Sequence, residues 1–248
     1  MIRRPPRSTL DRSSAASDVY KRQSQWSAIV YFELASELMK RNEIRRSLRY
    51  ALRANKLDQK NIAALLLCVE ILKEKGKVNH AKRLILNTWR INPHPDLVDP
   101  FTGLFENVEK FDTVKRVELL CTRNPTHEES KIAMTRSYLE AELWAKARGA
   151  ISLLATTKPT RRICLLMAQL EEKQNRDSMA NRLWLERAAS AEPDRIWICS
   201  SCGNIFEFWS SICSKCGSVG SILWSVPRPS NIKVVHEINK KSSTLIEK

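Results

Sequence analysis

The sequence carries two pairs of cysteines near its C-terminal end, arranged as Cys-x2-Cys-x10-Cys-x2-Cys. The four residues are Cys199, Cys202, Cys213 and Cys216, and a glycine follows the second cysteine of each pair. Such a pair places two sulfurs on one tight turn, and the glycine lets the backbone direct its amides toward a thiolate. Two facing turns form a tetrahedral four-sulfur cage. The spacing predicts a metal site that holds zinc, with iron as the alternative. Two disulfides or four unrelated cysteines are the competing interpretations.

A zinc ion closed by four thiolates has no open position for a water nucleophile, so we expect no catalysis at this metal. Iron in the same cage could carry one electron. Only six glycines are present, and they form no phosphate-binding loop. The four histidines are scattered, and most of them are interpreted as turn or surface residues: His80, His94, His127 and His236. The sequence therefore predicts no catalytic residues.

The segment 1–23 is rich in Arg and Ser and shows no hydrophobic period. It resembles the translation of sequencing-adapter DNA more closely than a transit peptide, and we exclude it from the fold prediction. The expectation is that the native N-terminus, with any membrane anchor, is missing. The rest contains no run approaching the roughly 20 apolar residues that span a bilayer, so the chain as given is expected to be soluble.

The formal charge is +15, from 42 basic and 27 acidic residues. The two terminal segments, 1–23 and 225–248, carry +4 and +3 of this excess. The remaining +8 is spread over amphipathic helices, which favours a solvated surface over an anionic partner or a lipid surface. No RNA-binding pattern of stacked aromatic residues is present, and nucleic acid is not an expected partner. Three further cysteines, Cys68, Cys121 and Cys164, lie in apolar runs and are predicted to be buried thiols. Lone thiols beside a thiolate site indicate a reducing compartment.

Four prolines recur at nearly equal intervals: Pro93, Pro125, Pro159 and Pro193. The interval is about 34 residues, the length of a tetratricopeptide (TPR) unit, which is a pair of antiparallel helices. Small residues recur where two helices of a hairpin must approach each other: Ala35, Ser47, Ala51, Ala54, Ala81, Ala147 and Ala188. The segment 26–193 therefore resembles TPR repeats. The predicted fold class is all-α, a TPR-like solenoid of helical hairpins with a small C-terminal metal-binding β-ribbon. A plain helical bundle is the alternative.

Local signals accompany the repeat. Thr126 is predicted to cap a helix as part of a capping box with Glu129, and Lys75-Gly76-Lys77 is predicted to be a turn between helices. The unit between Pro93 and Pro125 fits poorly, with Phe101 where a small residue is expected. The resemblance to TPR proteins implies a groove for a protein partner, lined by first helices of the pairs. The residues expected to face it are Phe32, Lys40, Lys73, Arg136 and Leu139, with ordinary surface positions as the competing interpretation.

Only the segment 193–196 separates the last predicted helix from the first cysteine pair, and it lacks the Gly and Ser residues of a flexible linker. We expect the ribbon to pack on the final repeat through Trp197, Trp209 and Trp224. The sequence predicts four segments: an adapter-derived start at 1–23, helical repeats over 24–194, the metal ribbon over 195–227 and a disordered basic tail over 228–248.

The C-terminal pattern resembles that of alphaproteobacterial HemY-like proteins. The residues that carry the resemblance are Trp197, Cys199, Cys202, Gly203, Trp209, Cys213, Cys216, Gly217, Trp224 and Pro227. It implies a non-catalytic scaffold on the cytoplasmic face of the bacterial inner membrane, associated with haem biosynthesis and anchored by helices this chain lacks. One alternative is an adaptor of the LapB type, which regulates lipopolysaccharide synthesis. Another is a rubredoxin-like electron-transfer protein.

Overall fold

The computed structural model describes residues 9–105, 109–157, 159–175 and 178–227, with side chains from residue 23 onward except at 175 and 178. The chain divides into two compact units, residues 1–76 and 77–248, which are considered separately. The expectations of an adapter-derived start and a disordered tail over 228–248 concern residues wholly or partly outside this description. Within it, no helix combines the length and apolar character needed to cross a bilayer.

The described part of the first unit contains α1 (Thr9–Lys40), α2 (Ile44–Leu57) and α3 (Ile62–Glu74). Helices α1 and α2 form an antiparallel hairpin: Tyr31 stacks on Tyr50 at 5.9 Å, and the Ser47 hydroxyl donates to the Ala35 carbonyl at 2.8 Å. The small residues predicted at helix contacts are all buried there and in the second unit. Their size allows the helix axes to approach closely.

The second unit contains the remaining helices and a small sheet. Its described helices are α4 (Val78–Ile91), α5 (Val98–Thr102), α6 (Lys110–Cys121), α7 (Glu128–Glu140), α8 (Trp144–Thr156), α9 (Arg161–Asn175) and α10 (Ser178–Ser190). A 3-10 turn, Pro95–Leu97, precedes α5. The strands are β1 (Ile196–Cys199), β2 (Ile205–Phe206) and β3 (Ile222–Ser225).

The helix starts repeat at the interval that the prolines predicted. Helices α2, α4, α6, α8 and α10, each the second helix of a predicted repeat, begin at Ile44, Val78, Lys110, Trp144 and Ser178. Successive starts are separated by about 34 residues, the length of a TPR unit. These five helices are 12 to 14 residues long, and helix starts that repeat at this interval are typical of TPR units. The predicted fold class, helical hairpins followed by a small C-terminal sheet, is confirmed.

The third pair is irregular, as its sequence suggested. Its first member is reduced to the 3-10 turn and the five-residue α5, because Pro95 opens the turn and Pro100 lies inside α5. Proline cannot donate a backbone hydrogen bond and restricts the residue before it. Phe101, which replaces a small residue, is fully buried and packs edge-on against Phe105 at 5.9 Å.

Two expectations about helix ends have different outcomes. The predicted turn at Gly76 is confirmed, with a left-handed φ of +66° that suits glycine. The predicted cap at Thr126 is wrong, because α7 starts two residues later with His127 as its cap. His127 Nδ1 accepts a hydrogen bond from the Glu129 backbone N–H at 3.1 Å. Glu129 is buried and pairs with Arg162 instead of reaching back toward Thr126.

The core of the second unit lies among α7, α8 and α9. Its fully buried members include Ile151, Ile163 and Leu170, each worth roughly 1.5–3 kcal/mol in transfer free energy. Arg148 on α8 donates two hydrogen bonds to the Glu171 carboxylate on α9, at 2.8 and 3.0 Å. The lone thiols are buried as predicted, and burial raises the pKa of Cys68 to about 12. Such a thiol stays protonated and behaves as a small apolar side chain.

The sheet has the order β2-β1-β3 with both pairings antiparallel. Trp197 pairs with Phe206 on one side and with Trp224 on the other, so these aromatic residues share one face. Cys199 ends β1 on that same face, opposite Ile222. The register therefore places the first cysteine turn next to an aromatic cluster.

Candidate metal centre and partner groove

The two cysteine turns have the same backbone geometry. In the first, the Gly203 N–H donates to the Cys199 carbonyl at 2.8 Å, and the Cys199 N–H donates to the Asn204 carbonyl at 2.9 Å. In the second, the Gly217 N–H donates to the Cys213 carbonyl at 2.8 Å. Gly203 and Gly217 have φ values of +73° and +70°. Both positions require the left-handed conformation that glycine adopts without strain.

The two turns bring four sulfurs together. All four Sγ atoms lie within 4.8 Å of one another. Sγ of Cys199 is 3.7 Å from Sγ of Cys216, and Sγ of Cys202 is 3.6 Å from Sγ of Cys213. Tetrahedral zinc with bonds of about 2.3 Å separates its sulfurs by about 3.8 Å, whereas a disulfide requires about 2.05 Å. The cysteines are free, so the arrangement fits a metal cage and not the competing disulfides.

Hydroxyl groups lie beside two of these sulfurs. Ser221 Oγ is 3.2 Å from Cys199 Sγ, and Ser218 Oγ is 3.2 Å from Cys216 Sγ. Burial raises the pKa of Cys199, but hydrogen bonds from Ser221 and backbone amides outweigh it and bring the pKa to about 5. Hydrogen bonds from Ser218 also lower the pKa of Cys216. A lower pKa favours the thiolate, which is the form that binds metal.

The aromatic cluster of the ribbon encloses His94, which lies between α4 and the 3-10 turn. The imidazole stacks on Trp197 with the ring centroids 5.1 Å apart, and its centroid is 4.5 Å from that of Trp224. The His94 side chain is 2 % exposed. His94 is therefore a turn residue, as predicted, but it does not lie on the surface. Burial, and then the charge of Arg162, lower the pKa of His94 to about 4. Two of the three predicted anchors, Trp197 and Trp224, therefore contact the start of the third helix pair. The sequence had predicted that they contact the final repeat.

The linker to the ribbon is held at the start of α9. The Arg161 N–H donates to the Glu192 carbonyl at 3.0 Å, and the Arg162 N–H donates to the Asp194 carboxylate at 3.0 and 3.2 Å. A carboxylate at a helix N-terminus satisfies free amides and interacts favourably with the helix dipole. The linker contacts the final repeat and is restrained, as its lack of Gly and Ser suggested.

A groove lies among α5, α6, α7 and the start of α9. It consists of two adjoining recesses of about 90 and 320 Å³, which share Asp99 and Glu140 in their linings. The floor of the smaller recess is apolar, with Val117 and Ile132 each 2 % exposed. Charged residues of both signs surround it: Asp99, Glu129, Arg136, Glu140 and Arg162.

Of the residues predicted to face a groove, Arg136 lines this one. Leu139 is buried in the core of the second unit, where it packs behind the helix surface. Lys40 and Lys73 are exposed and Phe32 is half-buried, all within the first unit. Sequence reasoning missed Asp99 and Glu140, because nothing in the repeat pattern indicated that α5 would be short and leave its neighbours open.

Comparisons with known proteins do not assign the chain to a family. No protein-family model matches. A probable magnetosome protein, Mms48 of Magnetospirillum gryphiswaldense (strain DSM 6361 / JCM 21280 / NBRC 15271 / MSR-1), is 26 % identical over 181 residues, covering 73 % of this chain. The chain spans only 40 % of that relative's length.

Three solved structures resemble this chain, each with a TM-score below 0.4. YrrB, described as a TPR protein with an unusual peptide-binding site, is 14 % identical with a TM-score of 0.38, covering 72 % of this chain and 90 % of YrrB. PilF of Pseudomonas aeruginosa is 14 % identical with a TM-score of 0.39, covering 68 % of this chain and 78 % of PilF. MamA is 13 % identical with a TM-score of 0.39, covering 66 % of this chain and 91 % of MamA.

Proposed function

We propose that this protein is a non-catalytic adaptor that holds a segment of a partner protein in the groove among α5, α6 and α7. The observation that carries the proposal is the apolar floor at Val117 and Ile132, enclosed by a charged rim. A peptide side chain can bury apolar area on such a floor while the rim pairs with its charges. Arg136 is exposed and makes no ion pair among the described residues, so its guanidinium is available to a carboxylate.

The four-cysteine ribbon would stabilise this groove through contacts with residues of the groove wall. Cys199, Cys202, Cys213 and Cys216 would hold Zn²⁺, which supplies roughly 10–16 kcal/mol of binding free energy in zinc peptides. The ribbon and its linker contact the groove wall at one point each. At the first point, Trp197 of the ribbon stacks on His94, and the next residue, Pro95, lines the groove. At the second, the Asp194 carboxylate of the linker accepts a hydrogen bond from the backbone N–H of Arg162, which also lines the groove. A structural metal would therefore keep two sides of the groove, at Pro95 and at Arg162, in fixed positions relative to each other.

The biological setting is a further part of the proposal. The Trp and Cys pattern over residues 197–227 supports a HemY-like scaffold at the inner membrane, linked to haem biosynthesis. The LapB-type adaptor has the same combination of repeats and ribbon. Similarity to Mms48 over 181 residues supports a role as a magnetosome protein as a second candidate.

Site-specific photo-crosslinking would test the groove. A photoreactive residue placed at Thr102, on the groove lining, should form adducts with a defined protein in cells of the source organism. Arg136→Glu should abolish those adducts by reversing the rim charge. Arg123→Glu is the matched control, since Arg123 is exposed in the turn after α6 and does not line the groove. Adducts that persist in Arg136→Glu would contradict the proposed partner site.

Elemental analysis and absorbance of the purified protein would test the metal. We expect one zinc per chain and no visible absorption. An Fe(III)–thiolate site is coloured, so a coloured protein with one iron per chain would instead support the rubredoxin-like electron-transfer function.

A further inference from the structure

Helix α2 is basic along its whole exposed length. Its 14 residues include five cations, Arg45, Arg46, Arg49, Arg53 and Lys56, and no acidic residue. All five side chains are exposed, while the opposite face is buried against α1 through Ser47, Ala51 and Ala54. The helix therefore presents a positively charged ridge on a rigid support.

Four of these cations fall on a narrow stripe. At 100° per residue, Arg45, Arg49, Arg53 and Lys56 lie within about 80° of one another around the axis. They extend over about 16 Å along the helix, at a rise of about 1.5 Å per residue. We refer to these four residues as the basic stripe.

The basic stripe lacks anionic partners. Arg46, beside it, pairs with Glu43, but within the described chain none of the four stripe residues forms an ion pair. Arg49 and Arg53 instead lie over the rings of Tyr50 and Tyr31, at 5.8 and 5.3 Å from the centroids. In α8 the pattern is the opposite. Both of its cations are neutralised, Lys146 by Glu118 and Arg148 by Glu171.

The residues around the basic stripe favour one of three possible partners: a protein, a single-stranded nucleic acid or an anionic bilayer. Protein partners usually require a central apolar or aromatic anchor, and Leu57 is the one large apolar side chain exposed on α2. Single-stranded nucleic acid requires open aromatic faces, but Tyr31 and Tyr50 stack on each other and carry guanidinium groups. A bilayer of anionic phospholipids requires neither feature. It requires a row of cations that can all reach phosphates at once.

We propose that the basic stripe of α2 binds the surface of an anionic phospholipid membrane. The contact is electrostatic and peripheral, because the apolar face of the helix is occupied by α1. Arginine supplies three of the four cations, and its planar fork can pair with two phosphate oxygens. This surface is independent of the groove and of any membrane-spanning anchor. It provides the first unit with a defined side toward the bilayer.

Vesicle sedimentation of the full, zinc-loaded chain tests the proposal. Vesicles contain phosphatidylglycerol and phosphatidylcholine in equal amounts, or phosphatidylcholine alone. Each cation near an anionic surface strengthens binding by about five-fold, so Arg45→Gln with Lys56→Gln should weaken binding to the anionic vesicles by about 25-fold. Neither residue contacts an aromatic ring or forms an ion pair among the described residues, so the fold should be retained, as circular dichroism would verify.

The matched control is Lys115→Gln with Arg182→Gln. It removes the same charge from two exposed cations that are paired with Asp112 and Glu186. The control should bind within about two-fold of the unaltered chain. Arg45→Lys with Lys56→Arg should also retain binding and shows that charge, not the substituted positions, is responsible. Both terminal segments are common to all variants, so their charge does not affect the comparison.

Three results would overturn the proposal. Equal weakening in the control pair would assign the effect to net charge. Equal binding to phosphatidylcholine vesicles would exclude recognition of anionic lipid. Tighter binding to duplex DNA than to anionic vesicles, lost in the α2 variant, would make the stripe a nucleic-acid surface.

Discussion

The imidazole of His94 stacks on the indole of Trp197 with the ring centroids 5.1 Å apart and an interplanar angle of 28°. The two residues are far apart in the sequence, yet they join the start of the third helix pair to the first strand of the metal ribbon. Trp224, 5.2 Å from Trp197, completes a cluster of three rings. This cluster is a direct contact through which the ribbon and the helices stabilise each other.

Loss of a metal ligand should unfold the ribbon and leave the helices intact. Cys199→Ser or Cys216→Ser removes one thiolate, and the sheet of three short strands is too small to fold without the metal. We expect loss of stoichiometric zinc and red-shifted, more quenchable emission from Trp197, with most of the helical circular dichroism retained. Cys164→Ser, in a buried helix position outside the cage, should retain zinc. A large loss of helicity in Cys199→Ser would show that the repeats depend on the ribbon for folding.

Truncation of His94 should weaken the attachment of the ribbon. His94→Ala removes a fully buried ring with two aromatic contacts, and we expect about 2–4 kcal/mol less stability in chemical denaturation of the zinc-bound protein. Hydrogen exchange should accelerate both at the 3-10 turn and in β1. His80→Ala, at a less buried helix position, should cost under about 1 kcal/mol. Similar losses for both histidines would contradict the aromatic cluster as the specific contact.

Acid should destabilise the protein through His94. Its pKa is about 4 in the folded state against a usual 6.5, so the unfolded chain binds the proton more readily. Stability is therefore retained above pH 6.5 and falls as the pH decreases toward 4, by about 3 kcal/mol in total. Thiolate protonation also releases metal in acid, so the comparison is with His94→Gln. The unaltered protein should lose more stability between pH 7 and pH 5 than this variant. Parallel pH profiles would exclude His94 as the cause.

Overpacking of the first hairpin should test the helix register. Ala54 is fully buried between α1 and α2, and Ala54→Trp should cost about 1–3 kcal/mol or more in thermal unfolding. Lys56→Trp places the same ring on the exposed side of α2 and should change stability by less than about 0.5 kcal/mol. An unchanged melting temperature in Ala54→Trp would contradict the packing of this hairpin.

The features that sequence alone determined are those specified by short-range chemistry. Two Cys-x2-Cys-Gly turns could be recognised because a few adjacent positions specify both the sulfur spacing and the left-handed glycine. The regular interval between helix pairs and the buried alanines were predictable because each pair carries its own small-residue contacts. The poor fit of the third unit was visible at Phe101, which stands where a small residue is expected.

Tertiary structure alone decided which distant residues meet. His94 lies in a turn but is not on the surface, because two tryptophans of the ribbon cover it. Leu139 was predicted to face a groove but is buried in the core. Glu129 fitted a capping box but pairs with Arg162 on α9. The groove at Asp99 and Glu140 exists because α5 is short and its neighbours are not. Burial and ion pairing depend on how successive helices pack, and that packing is a sum over many weak contacts that no local pattern encodes.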